Sequence, residues 1–277
     1  MKARENKSSK KLFILIAVVV ALIAGIGFFI FNKMSAAGKQ EKVPVLQYTY
    51  LLKEQDKEND SELKNKQTIL SVSAFEKQMK YLADNGYHTI TLNELNDFIK
   101  TNTKLPKKSV LITFDNASKS NYIYAYPILK KYKLHAASFV VTSKVTEKEQ
   151  KFDHKKIQPL SKGEMNKMQD VFEFGSHTHD MYKFMGDSPV LLAKENKDIK
   201  EDIAKSQEIL KTNYLSYPFG EYNEKVQGVL KELKVLLAFD NKSGYATKES
   251  NPLEIKRWFI TPKTTMDEFS KKVSGQY

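Results

Sequence analysis

Short apolar runs and amphipathic segments alternate along most of this chain. The runs VPVLQYTYLL (43–52), SVLITF (109–114) and AASFVV (136–141) have the length and composition of buried strands. Other segments place apolar residues three or four positions apart, as an amphipathic helix does, and the longest covers about residues 194–211. Residues 53–67 are almost without apolar side chains and predict an exposed excursion. Strand and helix signals that alternate in this way predict a parallel α/β barrel or a doubly wound sheet.

Polar residues with short side chains predict where several helices begin. Ser73, Asn93 and Ser161 stand before the helical segments FEKQMKYLA, ELNDFIK and KGEMNKMQ. Such side chains accept hydrogen bonds from free backbone N–H groups of a first helical turn. We therefore expect each of these residues to be an N-cap.

The N-terminal region predicts a membrane anchor. Residues 12–31 form an unbroken apolar run of 20 residues, which as a helix spans roughly 30 Å, the thickness of a bilayer core. Five basic residues and one acid precede it, so the positive-inside rule makes residues 1–11 a cytoplasmic tail. Residues 32–42 are then a linker, and residues 43–277 an extracellular domain. A signal peptide cleaved near Ala37 is the alternative, and it would give a secreted protein.

Charge and composition narrow the function classes. The formal net charge is +12, and lysine supplies nearly all of the positive charge, since Arg4 and Arg257 are the only arginines. A lysine-rich surface suits a protein beside anionic lipids or wall polymers, and it equally suits simple solubility. No nucleic-acid-binding motif is present, so we expect no nucleic-acid partner. The oligomeric state is left open by these features.

The absence of cysteine limits the chemistry of any site. Disulfides, thiolate metal sites and a cysteine nucleophile are excluded. A transition-metal site would have to use histidine, aspartate and glutamate. The five histidines are His88, His135, His154, His177 and His179.

Polar residues directly follow three of the predicted strands. They are Asp115-Asn116, the segment His177-Thr178-His179-Asp180, and Tyr217-Pro218. In a parallel barrel the carboxyl ends of the strands meet at one face and carry the site. We therefore expect these residues to lie together.

These segments resemble the polysaccharide deacetylases, also called carbohydrate esterase family 4 or the NodB-homology domain. VPVLQYTYLL is similar to the family's opening strand, TFDNA to its first motif T-F-D-D-G, EFGSHTHD to its second and YLSYPFGEYN to its third. The matches keep the family's order over about residues 43–262, and they are closest to the intercellular-adhesin subgroup, which deacetylates poly-N-acetylglucosamine. The resemblance implies an irregular (β/α) barrel, a polymer of N-acetylglucosamine as ligand, and a divalent metal such as zinc.

The resemblance also assigns roles to residues of the metal site. Asp115 matches the general base, and His177 matches the first histidine ligand. Asn116 stands where the family has a metal-binding carboxylate, and Tyr182 stands where it has a second histidine. A neutral amide is a weak ligand for a dication, and a phenol would have to ionise from a pKa near 10. His179 is the candidate substitute ligand.

The third motif and the later segments carry the remaining assignments. The backbone N–H of Phe219 matches the oxyanion donor, and Tyr217, Pro218 and Gly220 match substrate-binding positions. Arg257 matches a catalytic arginine. The family's late histidine, which protonates the leaving amine, has no counterpart in this sequence.

Two functions follow from this pattern. One is a metal-dependent deacetylase with a reduced ligand set, acting on a β-linked N-acetylglucosamine polymer that is either an exopolysaccharide adhesin or peptidoglycan. The other is a non-catalytic descendant that binds the glycan or serves in assembly at the cell surface. In either case Tyr182, Tyr217 and Trp258 are candidates for a surface on which sugars stack.

Overall fold

A parallel sheet lies at the centre of the described part of the protein. The computed structural model describes residues 41–277, of which Lys42–Tyr277 form one compact unit. The predicted tail, the predicted anchor and almost all of the predicted linker lie outside the described residues. The strands are β1 (Val43–Tyr48), β2 (Tyr50–Leu52), β3 (Ile69–Ser71), β4 (His88–Thr89), β5 (Ser109–Asp115), β6 (Ala136–Val140), β7 (Phe172–Ser176), β8 (Phe184–Met185), β9 (Ser188–Pro189), β10 (Tyr214–Ser216), β11 (Leu237–Phe239), β12 (Tyr245–Ala246) and β13 (Trp258–Phe259).

Helices follow most of the central strands. They are α1 (Glu54–Glu58), α2 (Val72–Asp84), α3 (Leu92–Lys100), α4 (Tyr126–Lys131), α5 (Lys162–Lys167), α6 (Val190–Ala193), α7 (Asn196–Leu210), α8 (Glu224–Glu232) and α9 (Met266–Ser274). A π-helix, Asn121–Ala125, precedes α4. Within residues 41–277, no helix is long and apolar enough to span a bilayer.

The main sheet follows the order β11-β10-β7-β6-β5-β1, with every neighbouring pair parallel. At its edge, β1 pairs antiparallel with β12 and parallel with β13. Ile255 forms a parallel bridge with Phe239 of β11, and β13 follows a few residues later beside β1. The segment 255–259 therefore spans the gap between the first and last strands, and the sheet is an irregular, partly open barrel. The predicted α/β class is confirmed.

Alternation along β5 decides which side chains face the interior. All seven residues of β5 are buried. Val110, Ile112 and Phe114 belong to one apolar cluster, which includes residues of α2, while Leu111 belongs to a second cluster with residues of β6 and β11. Successive side chains of a strand point to opposite faces, so Asp115 lies on the same face as Leu111. The strand therefore places the Asp115 carboxylate on the inner face of the sheet.

Two predictions about the first strands need correction. The run 43–52 is not one strand, because β1 ends at Tyr48 and β2 pairs with β3 instead of the main sheet. The polar segment 53–67 is largely exposed, as predicted, but it contains α1, and Leu63 is buried against Leu52 and Ile69. This small apolar cluster fixes the excursion to β2 and β3.

The helix caps are partly as predicted. Ser161 caps α5, and its side chain accepts a hydrogen bond from the Glu164 N–H. The cap of α2 is Ser71 and not Ser73, and the cap of α3 is Thr91 and not Asn93. In both corrected cases the helix begins two residues earlier, at an apolar residue.

Candidate functional site

A cleft of about 440 Å³ opens at the carboxyl ends of the central strands. This is the face at which parallel α/β sheets carry their binding sites. We call this feature the cleft throughout. Its lining comes from β1, β2 and β13, from the segments before β3 and α5, and from the ends of β5, β7, β10 and β11 with the loops that follow them. The residues are Gln47, Thr49, Tyr50, Lys66, Thr68, Asp115, Asn116, Ile157, His177, Tyr182, Phe219, Asn241 and Phe259.

A buried ion pair forms the floor of the cleft. The two terminal nitrogens of Arg257 donate to the two carboxylate oxygens of Asp115, each at 2.8 Å. Arg257 also donates to Ser216 Oγ at 2.9 Å, and the side-chain nitrogen of Gln47 donates to Asp115 Oδ2 at 2.8 Å. Both partners of the ion pair are almost fully buried. The geometry orients Asp115 and occupies both of its oxygens.

The electrostatics of the floor fix two protonation states. Burial alone would raise the pKa of Asp115, but the adjacent Arg257 guanidinium and His177 lower it below its usual value. Burial lowers the pKa of His177, although Asp115 acts in the opposite direction. His177 Nδ1 lies 2.7 Å from the Ser216 carbonyl oxygen, an acceptor, so Nδ1 carries the proton. The cleft therefore has an ionised carboxylate and a neutral imidazole whose Nε2 is an acceptor.

Asn116 and Tyr182 form a neutral hydrogen-bonded pair above this floor. The side-chain nitrogen of Asn116 donates to the Tyr182 hydroxyl at 3.3 Å, and Tyr50 also lines the cleft. Burial raises the pKa of Tyr182, so its phenol stays protonated at neutral pH. The Tyr182 ring lies 4.9 Å from the His177 ring, centre to centre. Asn116 Oδ1 is buried and has no hydrogen-bond partner among residues 41–277.

These donors do not fit a zinc site. Zinc in catalytic sites takes three protein ligands and leaves one position open, and its ligands are imidazole, thiolate or carboxylate groups. Within the part of the chain that the structure describes, no three histidine, aspartate or glutamate side chains are grouped to hold a metal ion. The two positions assigned to ligands by resemblance, Asn116 and Tyr182, are neutral and bonded to each other.

His179 does not join the cleft. Its Nδ1 lies 2.8 Å from Thr142 Oγ1, and its backbone N–H donates to Asp202 Oδ1 at 2.7 Å. The preceding residue, Thr178, has a positive φ of 71°, which turns the chain after His177. The hypothesis that His179 replaces a missing ligand is therefore not supported by its position.

The third motif forms a tight 3₁₀ turn, Pro218–Gly220, after β10. Phe219 has φ 60°, a left-handed conformation that bulky residues rarely adopt. Gly220 also has a positive φ, and a Cβ there would lie 2.6 Å from Asn241 Cβ, so only glycine fits. The turn presents the Phe219 ring to the cleft, while Tyr217, Pro218 and Gly220 shape the turn without lining the cleft.

The predicted stacking surface needs correction. Tyr217 is fully buried, its hydroxyl donates to the Leu253 carbonyl at 3.0 Å, and its ring stacks on Tyr222. Trp258 is buried beside the Tyr245 ring. Of the three aromatic residues, only Tyr182 lines the cleft. Strand alternation explains the position of Trp258, because the Arg257 side chain points inward and the next side chain therefore points away from the cleft.

Sequence reasoning missed three lining residues that matter. Gln47 is a polar side chain inside an apolar strand, and Asn241 follows β11 as Asn116 follows β5. Both patterns were visible in the sequence. Tyr50 gave no such signal, because its position depends on the break between β1 and β2.

Comparisons with known proteins agree with the predicted family and the fold. Residues 102–238 match the family model described as polysaccharide deacetylase. The chain is 32% identical over 212 residues to the poly-beta-1,6-N-acetyl-D-glucosamine N-deacetylase of Staphylococcus aureus strain MRSA252, a match covering 73% of this chain and 71% of that protein.

Solved structures show the same fold. The Streptococcus pyogenes deacetylase PplD in complex with acetate has a TM-score of 0.71 at 24% identity, covering 85% of this chain and 99% of that one. IcaB from Ammonifex degensii has a TM-score of 0.69 at 24% identity, covering 86% and 99%.

Proposed function

The chain belongs to the polysaccharide deacetylase family, and we propose that it binds a polymer of N-acetylglucosamine in the cleft without removing the acetyl groups of that polymer. The name of the S. aureus relative supports this class of polymer. In this proposal the cleft serves recognition at the cell surface, and its residues orient a sugar rather than activate water.

One observation carries the proposal, namely the hydrogen bond between Asn116 and Tyr182. The resemblance puts a carboxylate and an imidazole at these positions, and their negative charge and lone pair would hold a metal ion. This chain has an amide and a protonated phenol there, which are hydrogen-bonded to each other. Such groups donate and accept hydrogen bonds, as the hydroxyl and acetamido groups of a sugar require.

The charges around the cleft favour an acetylated sugar over a deacetylated one. Asp115 is the one carboxylate among the lining residues of the described structure, and Arg257 neutralises it. Lys66 adds a positive charge to the lining. A deacetylated unit carries an ammonium group, which would find no free carboxylate and would be repelled by Lys66.

The competing function is deacetylation. It is favoured by the retained pair Asp115 and His177 and by the turn that carries Phe219. Within residues 41–277 the geometry offers no group of three histidine, aspartate or glutamate ligands for the metal.

The test measures binding and acetate release on the same full-length protein. Titration calorimetry with β-linked N-acetylglucosamine oligomers should show binding, whereas glucosamine oligomers of equal length should bind more weakly. Acetate release in the presence of added zinc should stay at the level of a protein-free control. Acetate release at an enzymatic rate would show that the competing function is correct.

Two single-atom variants test the residues involved. Tyr182→Phe and Tyr50→Phe remove only a hydroxyl, and each should weaken binding by about three- to tenfold, as expected for one lost hydrogen bond. Tyr126→Phe on α4 is the matched control, since Tyr126 does not line the cleft, and it should bind like the natural chain. If all three variants bind as tightly as the natural chain, Tyr182 and Tyr50 do not contribute to binding.

We further propose that the domain is displayed on the outer side of the membrane. The basis is the apolar run 12–31 with its basic N-terminal flank, which lies outside the described residues. Protease added to intact protoplasts should then remove the domain, while full protection would contradict this topology.

A further inference from the structure

A short hairpin beside the cleft exposes two large apolar side chains. Strands β8 and β9 pair through Phe184 with Pro189 and through Met185 with Ser188. Phe184 and Met185 are each 54% exposed. Gly186, in the turn between the strands, has a positive φ of 59°. A paired hairpin with a tight turn holds these side chains in a defined position.

The exposed Phe184 ring is connected to the cleft through two other rings. The Phe184 and Phe219 ring centres are 4.3 Å apart, and those of Phe219 and Tyr182 are 4.5 Å apart with nearly parallel planes. Tyr182 in turn contacts His177 on the cleft floor. We call Tyr182, Phe219 and Phe184 the ring row. It leads without interruption from the cleft to the surface of the hairpin.

The backbone at the middle of the ring row is strained. Phe219 has φ 60°, which glycine adopts freely and a bulky residue does not. Strained residues persist only where the surrounding structure holds them, and they concentrate at functional sites. Here the strained conformation places the Phe219 ring between Tyr182 and Phe184.

We propose that Phe184, the outer ring of the ring row, is a second sugar-binding subsite, which holds a pyranose unit of the glycan beyond the disaccharide that occupies the cleft. This inference rests on the proposed function and deepens it. A pyranose has a face of C–H groups and an edge of hydroxyls, so it needs an exposed flat apolar surface with polar groups around it. Aromatic rings supply such a surface with little loss of side-chain entropy.

Polar groups surround the ring row as a sugar requires. Lys144 Nζ lies 5.1 Å from the Tyr182 ring centre. Lys183 and Asp180 form an exposed ion pair at 2.6 Å, directly before the hairpin in sequence. These groups offer donors and acceptors to hydroxyls at the rim of the row. Two exposed apolar side chains are also far less than a stable protein interface needs.

The experiment uses oligomers of increasing length with the full-length protein. A disaccharide occupies the cleft alone, whereas tetramers and hexamers would also reach Phe184. Phe184→Ala should therefore leave disaccharide affinity unchanged and weaken hexamer binding by about three- to tenfold. Phe184→Tyr keeps a ring and should bind the hexamer like the natural chain. Ile209→Ala on α7, at a side chain 49% exposed, is the matched control and should change nothing.

Different failures have different meanings in this experiment. Equal losses for disaccharide and hexamer would show that Phe184 only supports Phe219, and the subsite would be disproved. Unchanged hexamer binding would disprove it as well. Failure of the natural chain to bind any oligomer would overturn the proposed function itself.

Discussion

Asn116 and Tyr182 lie close enough to His177 to share one ion if their side chains were changed. Asn116 bonds Tyr182 at 3.3 Å, and the Tyr182 ring is 4.9 Å from that of His177. We therefore expect Asn116→Asp combined with Tyr182→His to create an Asp-His-His site for zinc. Aspartate tolerates the positive φ of 73° at residue 116. Zinc titration by calorimetry should show much tighter binding by the double variant than by the natural chain.

The single variants serve as controls for this repair. For each single variant, the gain in the free energy of zinc binding should be less than half of the gain in the double variant, because ligands on one ion are coupled. Acetate release by the double variant should stay low, since the missing general acid is worth roughly 10²- to 10⁴-fold in rate. If the natural chain already binds zinc as tightly as the double variant, the natural cleft is a zinc site after all.

Asp115 has a structural role that is measurable separately from binding. Asp115→Asn leaves the Arg257 guanidinium buried without its counter-charge, which should lower the free energy of unfolding by about 3–5 kcal/mol. The control Asp84→Asn breaks an exposed pair with Lys80 and should change stability little. Urea unfolding of the three proteins provides the comparison. Equal stabilities of the Asp115 variant and the natural chain would contradict a stabilising ion pair.

The same pair predicts a pH dependence. The folded-state pKa of Asp115 is lowered, so its contribution to stability is fully present at neutral pH. It begins to be lost as the pH falls below the unfolded-state pKa, and it disappears once the pH has fallen through the lowered folded-state value. The Asp115→Asn variant should therefore lose its disadvantage in strong acid.

The sequence predicted Asp115 and His177 better than it predicted the other residues of the site. Asp115 and His177 follow buried strands and match the family's motifs, so the sequence predicts that they converge. Tyr50 was not predicted, because its place beside Asn116 depends on where β1 ends. Nor was Phe184, since an exposed aromatic residue becomes informative only when its neighbours in space are known.

At the level of elements, the helix starts show what local patterns miss. Ser161 was predicted correctly because it directly precedes a polar helical turn. Ser71 and Thr91 precede apolar residues, Val72 and Leu92, which carry no signal for the start of a helix. In the fold, burial of these apolar residues against the sheet determines where the helix begins, and propensity alone does not contain this information.

Glu173 on β7 links two elements and predicts a second pH effect. Its carboxylate accepts the Leu92 N–H at 2.7 Å at the start of α3. Burial raises the pKa of Glu173 to about 7. Between pH 4.5 and 7 the folded state keeps a proton that the unfolded state releases, so this group lowers stability as the pH rises through that range.

Replacement by a neutral side chain should remove this penalty. Glu173→Gln can still accept the Leu92 N–H and should stabilise the protein by about 1–3 kcal/mol at pH 8, with a smaller effect at pH 5. Urea unfolding at both pH values checks the difference, and Glu201→Gln on α7 is an exposed control. A difference between natural chain and variant that is the same at both pH values would contradict the raised pKa.

For the whole molecule, strand and helix alternation was enough to predict the α/β class. The order of the six parallel strands and the closure by residues 255–259 were not predictable from local pattern. That closing segment has only two residues in strand conformation, and its partners are distant in sequence. Alternation alone predicts either a barrel or a doubly wound sheet. The resemblance to the family selects the irregular barrel.

The whole fold should be independent of metal. The core consists of apolar clusters on both faces of the sheet, and the cleft floor is held by Arg257, Gln47 and Ser216 rather than by an ion. A ligand stabilises by RT ln(1 + [L]/Kd), so zinc at a tenth of its Kd contributes only about 0.06 kcal/mol. For a domain of this size, that free energy shifts Tm by well under about 1 °C.

Calorimetric melting of the full-length protein with zinc, with chelator and with neither checks this expectation. The three melting temperatures should agree, while the Asn116→Asp/Tyr182→His variant should melt several degrees higher with zinc, because its site binds the ion only when folded. The repaired variant thus proves that the measurement can detect a bound metal. A zinc-dependent rise of several degrees in the natural chain, abolished by His177→Ala, would show a metal site whose ligands include His177. In that case Asn116 and Tyr182 would have to separate on binding, and the hydrogen bond that carries the proposed function would belong only to the metal-free state.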